Sequence, residues 1–222
     1  MVMVEKVKII RKKSQKSLSM SVERDGTVVI KAPPTVPDER IAQFLEQNRN
    51  WIEKVISRYE EKNLLKRYRN GEKFLYLGKE YELLITDKQI EPLILKDKFY
   101  LHKNSLENAR DIFLAWYKRE AKRVIDKRVK HYASLGGYNY SKVTVKDLQT
   151  RWGSCTSKGN LAFNWRIIMA PIEVLDYVVV HELSHLREMN HSKRFWQEVE
   201  RLMPDYEEKD KWLRKNGHLL DF

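Results

Sequence analysis

The stretch His181-Glu182-Leu183-Ser184-His185 decides the reading of this chain, and His191 follows it six residues later. On a helix, residues i and i+4 share a face one turn apart, so the imidazoles of His181 and His185 project together. That spacing lets two ring nitrogens reach one Zn²⁺ at about 2.0–2.1 Å. Glu182 lies beside the first ligand and is not needed to bind the metal. In an HExxH helix this residue is the general base that takes a proton from water activated by the metal. Val178-Val179-Val180, just before the motif, are apolar without a break. Such a helix is expected to be buried, and a metal site needs that rigidity. It is expected to start at Ala170-Pro171, with Pro171 at the first helical position.

The third ligand depends on the chain beyond His185. In an unbroken helix His191 would lie about 9 Å along the axis from His185 and turned to another face. The helix must therefore stop, and Asn190 is the expected left-handed residue that swings His191 back toward the metal. Ser192 then caps a new helix beginning Lys193-Arg194-Phe195-Trp196. HExxHxxxxxH has the spacing of the metzincin proteases, but Glu188 stands where those carry glycine, and no Met-turn is evident. The alternative is an acidic ligand from the following helix, with Glu198 the best placed. His191 is preferred.

The 222 residues suffice for one large domain or two small ones, and 42% apolar content is adequate for a core. The net charge of +12 favours polyanions: nucleic acid, nucleotides or an acidic surface. The plainer account is a solvated, lysine-rich exterior. One cysteine, Cys155, excludes an intrachain disulfide and fits a reducing cytosol. With no run of 18 apolar residues and no secretory leader, the expectation is a cytoplasmic protein without a membrane partner.

The N-terminal third reads as strands. Val4 to Ile10 alternates, as does Leu18 to Glu23, and Asp25-Gly26 turns the chain into a strand over Val28 to Ala32. A helix is expected over about Pro37 to Lys62, then a basic linker to Asn70. Strands come next at Phe74–Leu77, Tyr81–Ile85, Pro92–Leu95 and Phe99–His102. Composition shifts near Lys103-Asn104. Leu106 to Ser134 then reads as one long helix, ended by Gly136-Gly137, with an apolar stripe through Phe113, Trp116 and Val124. Lys118, Lys122, Arg123, Lys127 and Arg128 are among the cations on its other faces, a candidate polyanion surface. Lys142–Leu148 and Leu161–Trp165 read as strands, with Arg151-Trp152-Gly153-Ser154-Cys155 as a turn that shapes a cleft wall.

Ser154 and Cys155 are poor nucleophile candidates, because neither sits on a strand-to-helix elbow. Cys155 as a fourth metal ligand would close the site and make it structural. His102, His131 and His218 are single histidines among charges, read as surface residues, although His218 could approach the site.

Arg151-Trp152-Gly153-Ser154-Cys155, Asn164-Trp165-Arg166, Ala170-Pro171, Tyr177 to Leu183, Asn190-His191-Ser192 and Phe195-Trp196 together resemble the YgjP-like (DUF45) predicted metal-dependent hydrolases. That family is grouped with the zincin metallopeptidases and is more distantly similar to the SprT and WLM proteases. Lys31-Ala32-Pro33 and Trp51-Ile52 look like its N-terminal region, so the resemblance covers nearly the whole chain. It implies zinc held by His181, His185 and His191, with Glu182 as base.

The expectation is an α+β protein: a β-rich N-terminal domain with one long helix, 1–102, and a mainly helical zincin-like domain with a small sheet, 103–222. Its function is read as zinc-dependent hydrolysis of a peptide or protein substrate. The strand at Leu161–Trp165 is expected to line the cleft and pair with extended substrate. Arg151, Tyr206 and His218 are the candidates to stabilise the oxyanion. Two other classes compete. A metal-dependent nucleotide pyrophosphatase suits the positive charge, but no P-loop is present. A nucleic-acid-associated protein with structural zinc would need four protein ligands.

Overall fold

The computed structural model describes residues 7–15, 17–22, 27–61, 66–148 and 150–221. The chain is α+β, and it divides into two compact units, Met1–Arg67 and Tyr68–Asp221.

In the first unit, β3 (Val28–Ala32) lies between β1 (Val7–Arg11), parallel to it, and β2 (Ser19–Val22), antiparallel. This central strand is paired along both edges; Val28, Val29, Ile30 and Ala32 are buried and Lys31 is exposed. α1 (Asp38–Gln47) and α2 (Arg49–Glu61) add Ile41, Ile52 and Ile56 to that core. The sequence reads these two as a single helix. Asn48 breaks it: its side-chain Nδ2 donates to the Phe44 carbonyl at 2.8 Å, and its backbone N–H donates to Leu45 at 3.1 Å. Asparagine competes in this way with the helical pattern. The start of the first expected strand and the Asp25-Gly26 turn lie outside the described residues.

The second unit opens with a four-stranded sheet in the order β4-β5-β7-β6, built from Lys73–Tyr76, Lys79–Thr86, Phe99–His102 and Leu93–Leu95. Its aromatic face packs on α3 (Ala109–Gly136). Phe74 stacks on Phe113 with centroids 4.2 Å apart, and Phe99 meets Trp116 edge-on at 4.9 Å. Each side chain of this size contributes about 1.5–3 kcal/mol by leaving water. The composition shift near residue 103 therefore falls inside this unit, at the junction of sheet and helix, because both elements bury their apolar faces in one core. Gly137, at φ 67°, closes α3, as the glycine pair predicts.

The cations of α3 are partly spoken for. Arg128 forms a two-pronged pair with buried Asp176, which also accepts from Tyr132 at 3.2 Å. Arg123 pairs with Glu120, and Lys122 with Asp126. No helix among the described residues is long and apolar enough to cross a membrane.

A second sheet, in the order β8-β10-β9, comprises Lys142–Lys146, Asn160–Asn164 and Gly153–Cys155. The second of these strands does not match its expected role. β10 is paired on both sides, so it cannot accept a substrate strand; the edges are β8 and β9, and β9, which the sequence reads as a turn, is the one that borders Glu182. Next come α4 (Ile172–Ser184), α5 (Lys193–Leu202) and α6 (Tyr206–Asn216). α4 begins one residue later than expected, with Pro171 as its N-cap. The β4–β5 turn grips that start. Leu77 and Gly78, both at positive φ, donate to the Ile168 and Met169 carbonyls at 2.8 and 3.1 Å. A Cβ on Gly78 would lie 2.8 Å from Pro171 Cα, so glycine is required at this contact.

Candidate metal centre

α4 is apolar on nearly every side, and Val174, Leu175, Val179, Val180 and Leu183 anchor it in the core. That rigid rod presents His181 and, at its C-cap, His185. The helix stops at Ser184, earlier than the sequence reading places the break. Tighter i→i−3 bonds appear there, Leu186 N–H to Leu183 and Arg187 N–H to Ser184 at 3.0 and 3.1 Å, and the Ser184 carbonyl also accepts from Glu188 N–H at 3.1 Å. Asn190 is not left-handed; among non-glycine described residues only Tyr68 and Leu77 have positive φ. The turn nevertheless returns His191 to the other two histidines. Ser192 caps α5 as expected, its hydroxyl accepting from the Phe195 N–H at 3.4 Å.

One ring nitrogen from each of His181, His185 and His191 lies within 4.8 Å of the others. The Nε2 atoms of His181 and His191 face each other at 3.0 Å. At this separation both nitrogens can turn their lone pairs on one shared cation. His185 is oriented for the same purpose. Its Nδ1 is 3.1 Å from the Glu188 carbonyl, which can only accept, so Nδ1 carries the proton and Nε2 is left with its lone pair. Burial, with the neighbouring histidines adding to it, pushes the His181 pKa down to about 3. Burial lowers that of His185 as well. Both are therefore held neutral, the form that binds metal. Buried Phe195 touches all three rings at 4.5–4.9 Å between centroids, and Trp196 stacks on His191 at 5.8 Å. This donor set fits a divalent metal held by three nitrogens.

Glu182 is 5% exposed, and its Oε2 has no hydrogen-bond partner among the described residues. Burial pushes its pKa up to about 8, opposed by the charge of Arg151. Edge strand β9 runs directly over this carboxylate. A Cβ on Gly153 would lie 2.5 Å from Glu182 Oε1 and 2.6 Å from its Cγ, so only glycine lets the strand pass.

These groups open into a cavity of about 750 Å³, walled by β9, α4 and α6. Arg151 lines it; Tyr206 and His218 do not, which narrows the three oxyanion candidates to one. Cys155 also lines it but stands outside the three-histidine cluster. Burial, helped by the Glu182 charge, raises its thiol to about 11. Glu198 is elsewhere, bound to Tyr138, Arg187 and Arg201, and its pKa is drawn down to about 2, chiefly by Arg201. His102 accepts from the Asn104 N–H, and His131 packs edge-on against Tyr132.

The sequence reading missed Tyr177, Asp210 and Arg214. Tyr177 lies one turn before His181 on the same face of α4, a signal available in the spacing. Its hydroxyl donates to Asp210 at 3.0 Å, and Arg214 holds the other oxygen of Asp210 at 2.6 Å. Asp210 and Arg214 carry no such signal, since an i,i+4 acid–base pair on a charged helix is indistinguishable from solvated surface.

No curated protein matches this chain. Among solved structures it is similar to the metallopeptidase zymogen of Pyrococcus abyssi abylysin, at 26% identity over 41% of this chain and 93% of that one, with a TM-score of 0.38. It is also similar to the metallopeptidase zymogen of Methanocaldococcus jannaschii jannalysin, at 20% identity over 41% and 94% of the respective chains, TM-score 0.37. The model of the YgjP-like metallopeptidase domain matches residues 16–216, nearly the whole sequence, and the chain belongs to that family.

Proposed function

We propose that this protein is a zinc-dependent peptidase in which His181, His185 and His191 hold the metal and Glu182 is the general base. The observation that carries this reading is the convergence of three ring nitrogens within 4.8 Å, beside a buried carboxylate with an unpartnered oxygen. Bound zinc supplies Lewis acidity and brings the pKa of water toward 7. Glu182 takes the proton at its free oxygen and delivers it to the leaving nitrogen, the two transfers that a positioned carboxylate performs in this role. Arg151 makes no side-chain hydrogen bond or ion pair among the described residues, and its exposed guanidinium is free to meet the developing oxyanion. Edge strand β9 supports a peptide substrate over a nucleotide, because an extended chain can add to it by backbone pairing.

Glu182→Gln removes the base and keeps the shape. With zinc content unchanged, cleavage of an unfolded protein should fall by about 10²–10⁴-fold. Nucleoside triphosphates assayed in parallel should not be cleaved. Triphosphate hydrolysis with the same Glu182 dependence, and no proteolysis, would reassign the substrate. Full proteolysis by Glu182→Gln would refute the mechanism.

A further inference from the structure

Glu198 lies outside the histidine cluster, yet three donors converge on it. Tyr138 Oη donates to its Oε1 at 2.6 Å, Arg201 donates to the same oxygen at 2.8 Å, and Arg187 donates to it as well. The Glu198 side chain is only 15% exposed, whereas those of Arg187 and Arg201 are 46% and 45% exposed. Arg187 is the informative partner, because it belongs to the turn between His185 and His191. Its second guanidinium nitrogen donates to the Gly136 carbonyl at 2.7 Å, and its Cζ lies 4.7 Å from the centre of the Tyr138 ring. The turn is thus pinned to α5 and to the C-terminal end of α3. The residue after Arg187 is Glu188, whose carbonyl receives the His185 Nδ1–H. Three residues further on is His191.

We propose that Glu198, acting through Arg187, is a positioning residue for the metal site. It fixes the turn so that the Glu188 carbonyl aims His185 and the end of the turn delivers His191. This rests on the reading that the three histidines bind zinc. A carboxylate that orients a ligand from outside the coordination sphere typically changes metal affinity by about 10–100-fold when removed. Here the effect passes through an arginine and a backbone carbonyl. Arg201 provides the internal contrast, since it bonds the same Glu198 oxygen and, at 3.4 Å, the same Gly136 carbonyl, but has no hydrogen bond to the turn among the described residues.

The test is the affinity of the apo protein for Zn²⁺, measured by competition with a chromophoric chelator, alongside the apo melting temperature. Glu198→Gln and Arg187→Met should each weaken zinc by about 10–100-fold. The double variant should be no weaker than Arg187→Met alone, because both lesions act on one link. Arg201→Met should lower the melting temperature while holding zinc at parental affinity. Parental affinity in Arg187→Met would overturn the positioning role. So would an equal loss in Arg201→Met, since affinity would then follow the docking of α5. A parent chain that binds no zinc would overturn the metal reading itself, a result distinct from either of these.

Discussion

Glu182 is a buried carboxylate beside the histidines, Glu198 a partly buried one outside their cluster, and their surroundings drive them in opposite directions. Around Glu182 the protein offers burial and little else: one oxygen is unpartnered among the described residues, and the nearest strand has no side chain to give it. Around Glu198 it offers a tyrosine hydroxyl and two arginines. Burial without partners raises the first pKa to about 8, and donors lower the second to about 2. A carboxylate left bare can accept and return a proton, whereas one saturated with donors can only hold things in place. The count of donors separates these two roles.

The contrast can be broken most severely at Gly153. Gly153→Ala drives a methyl group into Glu182, which must swing away from its present position. A displacement of about 1 Å at a reacting group costs on the order of 10²-fold in rate. Peptidase kcat should fall by about that much, with zinc content unchanged. Adding Glu182→Asp, one methylene shorter, should recover part of the loss, although Glu182→Asp alone is harmful. Steady-state kinetics on the four proteins checks this, and additive losses would show that the close approach does not set the position of the base.

A smaller effect sharpens the other half. The lowered pKa of Glu198 means that its ion pairs add stability above the unfolded glutamate pKa of about 4.3, and that this stability is lost as pH falls toward about 2. Glu198→Gln should therefore melt about 2–4 °C below the parent near neutral pH, the shift expected for about 1 kcal/mol in a domain of this size. The gap should close as the pH is lowered through that window. Melting curves at a series of pH values check it; a gap that stays constant to pH 2 would mean the loss is not one of charge.

The two carboxylates also show what residues alone reveal. Glu182 is legible because HExxH on an apolar helix is a local pattern: periodicity, burial and ligand spacing all lie within α4. The Ser192 cap is legible for the same reason. Glu198 reads from the sequence as a possible ligand because its donors, Tyr138 and Arg187, come from 60 and 11 residues away. The stop after Ser184 has no local cue either. Arg187, just beyond it, is held by α3 and α5, so a left-handed Asn190 is unnecessary. β9 is hidden because a three-residue strand containing glycine shows no alternation; its identity comes from pairing with β10, where Gly153 faces Phe163 and Cys155 faces Leu161. The shift near residue 103 is real as a change of element, but aromatic packing across it joins the two sides in one core.

The central claim is that three histidines alone hold the metal and that Glu182 stays off it. Anomalous diffraction at the zinc edge, from crystals grown with Zn²⁺, tests this most directly. One peak per chain should lie about 2.0–2.1 Å from a ring nitrogen of each of His181, His185 and His191. No bond should come from Glu182, Glu198 or Cys155. A peak ligated by Glu198, or closed by Cys155 as a fourth protein ligand, would contradict the account and turn a catalytic centre into a different or a structural one.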